Sequence, residues 1–260
     1  MLDQGTFLHR SSMGVGRRLA LASLLLGLTT SASGETPRLS EHWLSRGSQP
    51  DHPAFAYYLR RDHLEPHRRQ ALRLREELVT LANRMKLDGQ PSVANALTDW
   101  QTSVDALYRQ GSRTPARADL TALLASPRHD PRLSTLAAVG QCEPPDWVEL
   151  WTFGGVTRRP WSPGLTLPQA LRDQPDGHWR AAAEAWVVGP QSPPRRLGIA
   201  AWNAESSPLV PGSRVALLLP DESLEADWVN RTLPEFLATR LPGDACDTLD
   251  PTDTDIGQTP

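Results

Sequence analysis

Trp147-Val148-Glu149-Leu150-Trp151-Thr152-Phe153, stopped by Gly154-Gly155, alternates apolar and polar residues with a period of two. That is the period of a strand with one face on a core. Upstream the period changes. From Leu64 the apolar positions are Ala71, Leu74, Leu78, Leu81 or Ala82, and Met85, with Arg and Glu on the other face. Val93, Leu97, Trp100, Val104 and Leu107 follow at steps of four, three, four and three. Both patterns belong to amphipathic helices. Asp88-Gly89-Gln90-Pro91 separates them with turn chemistry, Ser92 is a candidate N-cap, and Gly111 is a candidate C′ residue. Two such helices joined by a short turn predict an antiparallel hairpin.

Beyond residue 153 the chain reads as strands punctuated by Pro and Gly. Strands are expected at 185–188, 196–202 and 214–219, with stops at Pro190, Pro193-Pro194, Pro208 and Pro211-Gly212. Short helical turns are expected at 119–125 and 168–172. A last helix at 224–241 places Leu224, Trp228, Leu233, Leu237 and Leu241 on one side, with Pro234 kinking it or marking a late start. Strand, turn, Pro-Gly and a further apolar segment recur around 147–171 and 185–219, which suggests two related small β domains. The fold class is α+β.

The ends of the chain read differently. Arg10, Arg17 and Arg18, then the uncharged run from Leu19 to Leu28, then small polar residues follow the order of a secretory signal peptide, residues 1–34. Ala32 and Gly34 suit cleavage before Glu35. The alternative, a membrane anchor, needs a longer apolar run, since ~30 Å of hydrocarbon takes about 20 residues. Residues 242–260 are acidic, rich in Pro and Thr, and expected to be disordered.

Composition excludes more than it assigns. There are 27 Lys and Arg against 30 Asp and Glu, and no basic tract dense enough for nucleic acid. Neither a P-loop nor a G-x-S-x-G elbow occurs, and nothing indicates a cofactor. His63 and His67 are four apart, but the stretch His63-Leu64-Glu65-Pro66-His67 lacks the Glu that a zincin needs after its first His. These read as solvated histidines near a helix start, and neither metal nor catalytic residues are assigned. Cys142 and Cys246 are the two cysteines. In an oxidising compartment an even pair is bridged more often than free; two unrelated buried thiols are the other reading. Tryptophan is the unusual count, nine against four Phe and three Tyr, with seven of the nine from Trp147 onward. Indole faces stack on sugar rings or fill small β cores, and Trp161, between Pro160 and Ser162-Pro163, is the candidate exposed ring.

In this strand-rich half, Gly155-Val156, Arg158-Arg159-Pro160, Pro163-Gly164-Leu165-Thr166-Leu167 and Gln169-Ala170-Leu171 resemble the β-grasp domains of outer-membrane polysaccharide export proteins. Trp186-Val187-Val188-Gly189-Pro190, Gly198-Ile199-Ala200-Ala201-Trp202-Asn203 and Pro211-Gly212-Ser213 resemble the GfcC family of capsule biosynthesis proteins, in motifs and in order of parts. The resemblance covers most of residues 60–241. It implies two small β-grasp-type units, one at 35–180 carrying the helical hairpin at about 64–110, the other at 181–241 with the C-terminal amphipathic helix. It also implies a periplasmic, non-enzymatic accessory of capsule or exopolysaccharide assembly or export. Outer-membrane polysaccharide export proteins are the expected partners, together with the polysaccharide itself, and no stable membrane insertion is expected. A periplasmic glycan hydrolase or lyase is the alternative, and a cell-wall or adhesin scaffold a third. The candidate binding residues are Arg113, expected to project from the hairpin end as a carboxylate or phosphate clamp, Trp161, Trp202, expected to wall a core, and Asn203, expected to terminate a strand.

Overall fold

The computed structural model describes residues 36–45, 50–220, 223–249 and 251, so the expected signal peptide at 1–34 lies outside the described residues. Helix α1 (Leu39–Ser45) leads to strand β1 (Ala56–Arg60), and helices α2 (Leu64–Leu87) and α3 (Pro91–Gln110) follow as the hairpin. The buried residues of these two helices include every position that the helical period selects, except Val93, which is partly buried. Pro91 opens α3, where its missing N–H costs nothing, so Ser92 sits inside the first turn rather than capping it. Gly111 ends α3 at φ 134°, in the left-handed region, and a Cβ there would lie 3.1 Å from Leu241. Helix α4 (Leu120–Ala125) is capped by Asp119, whose carboxylate accepts the Ala122 N–H at 2.9 Å. Then come β2 (Leu136–Cys142), β3 (Trp147–Thr152), β4 (Gly155–Pro160), α5 (Leu167–Arg172), β5 (Glu184–Val188), β6 (Arg195–Gly198), β7 (Arg214–Leu217), α6 (Leu224–Ala238) and β8 (Cys246–Leu249).

The fold is α+β, but its strands are shared out differently from the expectation. One five-stranded sheet has the order β4-β3-β7-β5-β6, antiparallel except for the central pair β3 and β7. Its first and last strands thus lie side by side, as in a single β-grasp sheet. The segments 147–160 and 184–217 therefore form one layer, and residue 180 is not a domain boundary. The physical reason is the parallel register of Glu149 with Arg214, Leu150 with Val215 and Trp151 with Ala216. The first segment alone would be a two-stranded hairpin, marginal in water, and the second a three-stranded piece with the β7 edge open. The second sheet, β1-β2-β8, is antiparallel throughout, and the helical hairpin is inserted between its strands β1 and β2.

The larger core lies between the hairpin, α6 and the five-stranded sheet. Trp100 of α3 meets Trp151 of β3 edge to face, with ring centres 5.8 Å apart, and donates its indole N–H to the Thr152 carbonyl at 3.0 Å. The Asp99 carboxylate accepts the Val156 N–H at 2.6 Å, which ties α3 to the start of β4. Helix α6 is continuous from Leu224, so Pro234 does not mark a late start. It buries Ala226, Val229, Leu233, Phe236 and Leu237 and packs on α2. Among the described residues no helix is long and apolar enough to cross a membrane. A smaller core, Leu39, Trp43, Tyr58, Leu120, Leu123, Leu136 and Val139 among others, fills the space by the three-stranded sheet.

The expected disordered tail is corrected over residues 246–249, which form the edge strand β8. Polarity alone suggested disorder there, yet the strand needs little apolar burial because a covalent bond holds it. Cys142 and Cys246 stand opposite each other in the β2–β8 ladder and form a disulfide across a sequence separation of 104. The Tyr57 and Thr248 hydroxyls bond at 2.6 Å, and Gly140 leaves no room for a Cβ beneath Asp247. Closing a loop of that length stabilises by about 4–5 kcal/mol in the chain-entropy model. Cys246→Ser should therefore lower the unfolding free energy by about 3–4 kcal/mol in urea titrations. The unreduced, denatured wild-type protein, freed of its signal segment, should show no thiol reactive to a labelling reagent.

Candidate functional site

The polar interior is concentrated where the hairpin meets the end of α6. After Gly111 the backbone runs antiparallel to residues 239–240, with Ser112 bridged to Arg240 and the Arg113 N–H donated to the Thr239 carbonyl at 2.7 Å. The Arg113 side chain does not project. It is 4% exposed and folds back, Nε donating to the carbonyls of Ala238 and Arg240 and Nη1 to that of Pro190. This corrects the expected clamp: carbonyls left without partners by the end of α6 need donors, and the guanidinium supplies them. Arg240, fully buried, donates Nε to the Phe236 carbonyl at 3.3 Å, Nη2 to the Thr239 hydroxyl at 2.7 Å and Nη1 to the Gly111 carbonyl at 3.4 Å. It also stacks 4.4 Å above the Phe236 ring. Both cations thus sit at the negative end of the α6 dipole.

A third buried guanidinium, Arg214, donates to Glu149 at 3.3 Å and to the Leu241 carbonyl at 3.2 Å. Glu149, also buried, accepts from Arg158 at 3.0 Å and from the Trp151 indole at 2.9 Å. Of the three buried arginines only Arg214 meets a buried carboxylate, Glu149, so the interior here is net positive. Burial, reinforced by Arg214 and Arg240, draws the pKa of Arg113 down to about 9; burial and Arg214 do the same to Arg240, also to about 9. Both remain charged at neutral pH. His67, at the start of α2, is drawn down to about 4 by burial and then by Arg240 and His63. It is neutral at pH 7.

A cleft of 540 Å³ opens onto this seam. Pro66 and His67 from α2, Arg113, Pro190 and Ser192 from the β5–β6 loop, and Thr239 line it, with the exposed carboxylate of Glu235 on its wall. Four segments distant in sequence meet there, and the arrangement can receive a polar or anionic group beside a cation that is already held in place. His63 and His67 stack edge to face at 5.4 Å. Among the described residues no cluster of three His, Cys, Asp or Glu could hold a metal ion.

The other candidate residues lie elsewhere. Trp161 is not the exposed ring: it is half-buried against the larger core and donates its indole N–H to the Leu209 carbonyl at 2.7 Å. Trp202 walls no core, being 82% exposed, because β6 stops at Gly198 and residues 200–203 turn out of the sheet. Asn203 lies five residues beyond the end of β6, in the turn that follows it, where it donates its amide to the Ala183 carbonyl at 3.1 Å. Glu149, Arg214 and Arg240 were missed. Glu149 carried a legible signal, a lone carboxylate in the apolar run of β3, which a buried strand tolerates only if paired.

His67 gives the seam a pH dependence. Its folded pKa lies below its ordinary value, so the unfolded chain binds the proton more readily, and stability is lost as the pH falls from about 6.5 toward 4. The loss between pH 7 and 5 should be about 1–2 kcal/mol smaller in His67→Gln than in the wild type, read from urea midpoints.

No family model matches the chain. It is similar to the uncharacterized protein YjbG of Escherichia coli (strain K12), 27% identical over 177 residues, which make up 66% of this chain and 71% of that protein.

Proposed function

We propose that this chain is a periplasmic, non-enzymatic accessory of capsule or exopolysaccharide assembly or export, acting by binding the polymer or partners in the export machinery. The observation that carries the reading is the seam cleft, an open site against a net-positive interior in which every buried cation is fixed by main-chain carbonyls or by Glu149. Such a site favours an anionic or hydroxyl-rich ligand without needing an activated nucleophile or base. The motifs shared with GfcC-like and export proteins point to the same process. A disulfide suits an oxidising compartment, and the apolar run from Leu19 to Leu28 suits export into one. Helix α6, its apolar face occupied by the protein's own core, favours a soluble partner role over insertion.

Deleting the gene in the encoding bacterium should reduce surface polysaccharide at least tenfold, with full recovery on complementation, and the mature protein should fractionate with the periplasm. Undiminished surface polymer would refute the proposal. Shortening of the purified polymer by the purified protein would favour the hydrolase alternative.

A further inference from the structure

Beyond β6 the chain builds a short, tightly fastened turn. Ile199 and Ala200 donate their N–H groups to the Ala183 carbonyl, and the Asn203 N–H closes the turn on the Ala200 carbonyl at 3.0 Å. The Asn203 amide adds a third bond to Ala183, while Gly198 and Glu205 exchange two more, N–H to carbonyl at 3.0 Å and N–H to carboxylate at 3.1 Å. Gly198 is required, since a Cβ there would sit 2.1 Å from the Asn203 carbonyl oxygen. Ala201 and Trp202 occupy the two central positions of this turn, and Trp202 is the large side chain left in water. An indole on a rigid mount contributes nothing to the core. It is placed to meet something else.

Beside the turn runs a groove of 420 Å³, floored by Ala200, Ala201 and Ala204 and walled by Trp179, Arg180 and, from α5, Arg172. A second groove, also 420 Å³, lies along α5 and is lined by Arg159, Ser162, Gln169, Asp173 and the same Arg172. Arg172 lines both grooves, the first mostly apolar and the second mostly polar in its lining residues. Arg159 pairs with Asp173 at 2.6 Å, and Arg180 pairs with Asp176 at 2.8 Å while lying 5.1 Å from the Trp179 ring centre. Arg172 donates to the Pro168 carbonyl and to no carboxylate of a described residue. Three guanidiniums thus face two carboxylates, and one cation is left over.

We infer that this face binds a strand of acidic polysaccharide, Trp202 stacking on the C–H face of one sugar ring and Arg172 pairing with the carboxylate of another. The inference rests on the polysaccharide reading above and names a contact surface for it. Two grooves with one arginine as a common wall suit a linear polymer better than a compact small molecule. The Arg–Asp pairs offer donors and acceptors to hydroxyls, and guanidinium matches carboxylate geometry. The exposed indole of Trp202, next in the chain to the Ala201 that lines the first groove, is a sugar-sized platform, far smaller than the contiguous apolar patch of a protein interface.

Affinity electrophoresis of the mature protein tests this in gels containing polygalacturonate oligomers, cello-oligosaccharides of equal length, or surface polysaccharide from the encoding bacterium. Retardation is expected with the polygalacturonate oligomers and the native polymer. Trp202→Ala should weaken it at least tenfold, and Arg172→Ala should reduce the acidic oligomers to the level of the neutral ones. Both side chains are exposed, so the variants should unfold at the wild-type urea midpoint. Equal retardation by neutral and acidic oligomers would overturn the charge assignment, and unchanged binding by Trp202→Ala would overturn the site. If the wild type binds none of the three while gene deletion still abolishes surface polymer, this surface is refuted and the accessory role stands.

Discussion

The capture of α6 carbonyls by two buried guanidiniums is the constraint from which the rest of the arrangement follows. A helix end leaves four carbonyls unpartnered, and here the end is buried, so water cannot supply the missing donors. Arg113 comes from the far end of the hairpin and Arg240 from the residue pair just beyond α6. Because one of them reaches across, satisfying the helix end also fixes where the hairpin lies. The Pro190 carbonyl, taken by the same Arg113 side chain, draws in the β5–β6 loop as well. One side chain thereby ties together three segments, two of which share only the isolated bridge of Ser112 with Arg240.

Such an interior is costly. Taking a guanidinium out of water is repaid only when its donors are all directed at acceptors, and the arginines here are directed chiefly at backbone. Main-chain carbonyls neutralise no charge, so the seam keeps a positive field that Glu149 compensates only in part. Burial first, and then this field through Arg240, keeps His67 uncharged far below the usual imidazole range. Stability and ligand preference are in this sense two readings of one charge imbalance, and the cleft inherits it from the packing.

The hairpin was legible because its signal is local: Leu74, Leu78, Leu97, Trp100 and Val104 declare their face by spacing alone. Strand β3 and the short helical turn at 119–125 were legible for the same reason. The parallel contact of β3 with β7 was not, since nothing in Leu150 or Val215 names its partner sixty-odd positions away in the chain. Strand β2, Leu136–Cys142, is small and weakly alternating, and it becomes a strand only because β1 and β8 flank it. For the site residues the failure was one of direction. The tryptophan count singles out Trp161, and the resemblance Arg113 and Trp202, but whether a ring or guanidinium points in or out depends on which carbonyls and turns it meets. Trp161 found the Leu209 carbonyl, and Trp202 found a turn that lifts it away.

Strand β8 also sets the order in which the molecule can be completed. The small sheet opens with β1 at Ala56 and is finished by Cys246–Leu249, made almost last as the chain is synthesised. Contacts so far apart in sequence form slowly, because loop closure precedes any reward from pairing. A chain emerging from its amino end must hold β1 and β2 with one edge open while the hairpin, the five-stranded sheet and α6 take shape. Only when residue 246 reaches Cys142 do the two cysteines meet and record the event in a covalent bond. The disulfide is therefore also a timestamp, the chemical mark that β8 has arrived and that the earliest described strands have found the last.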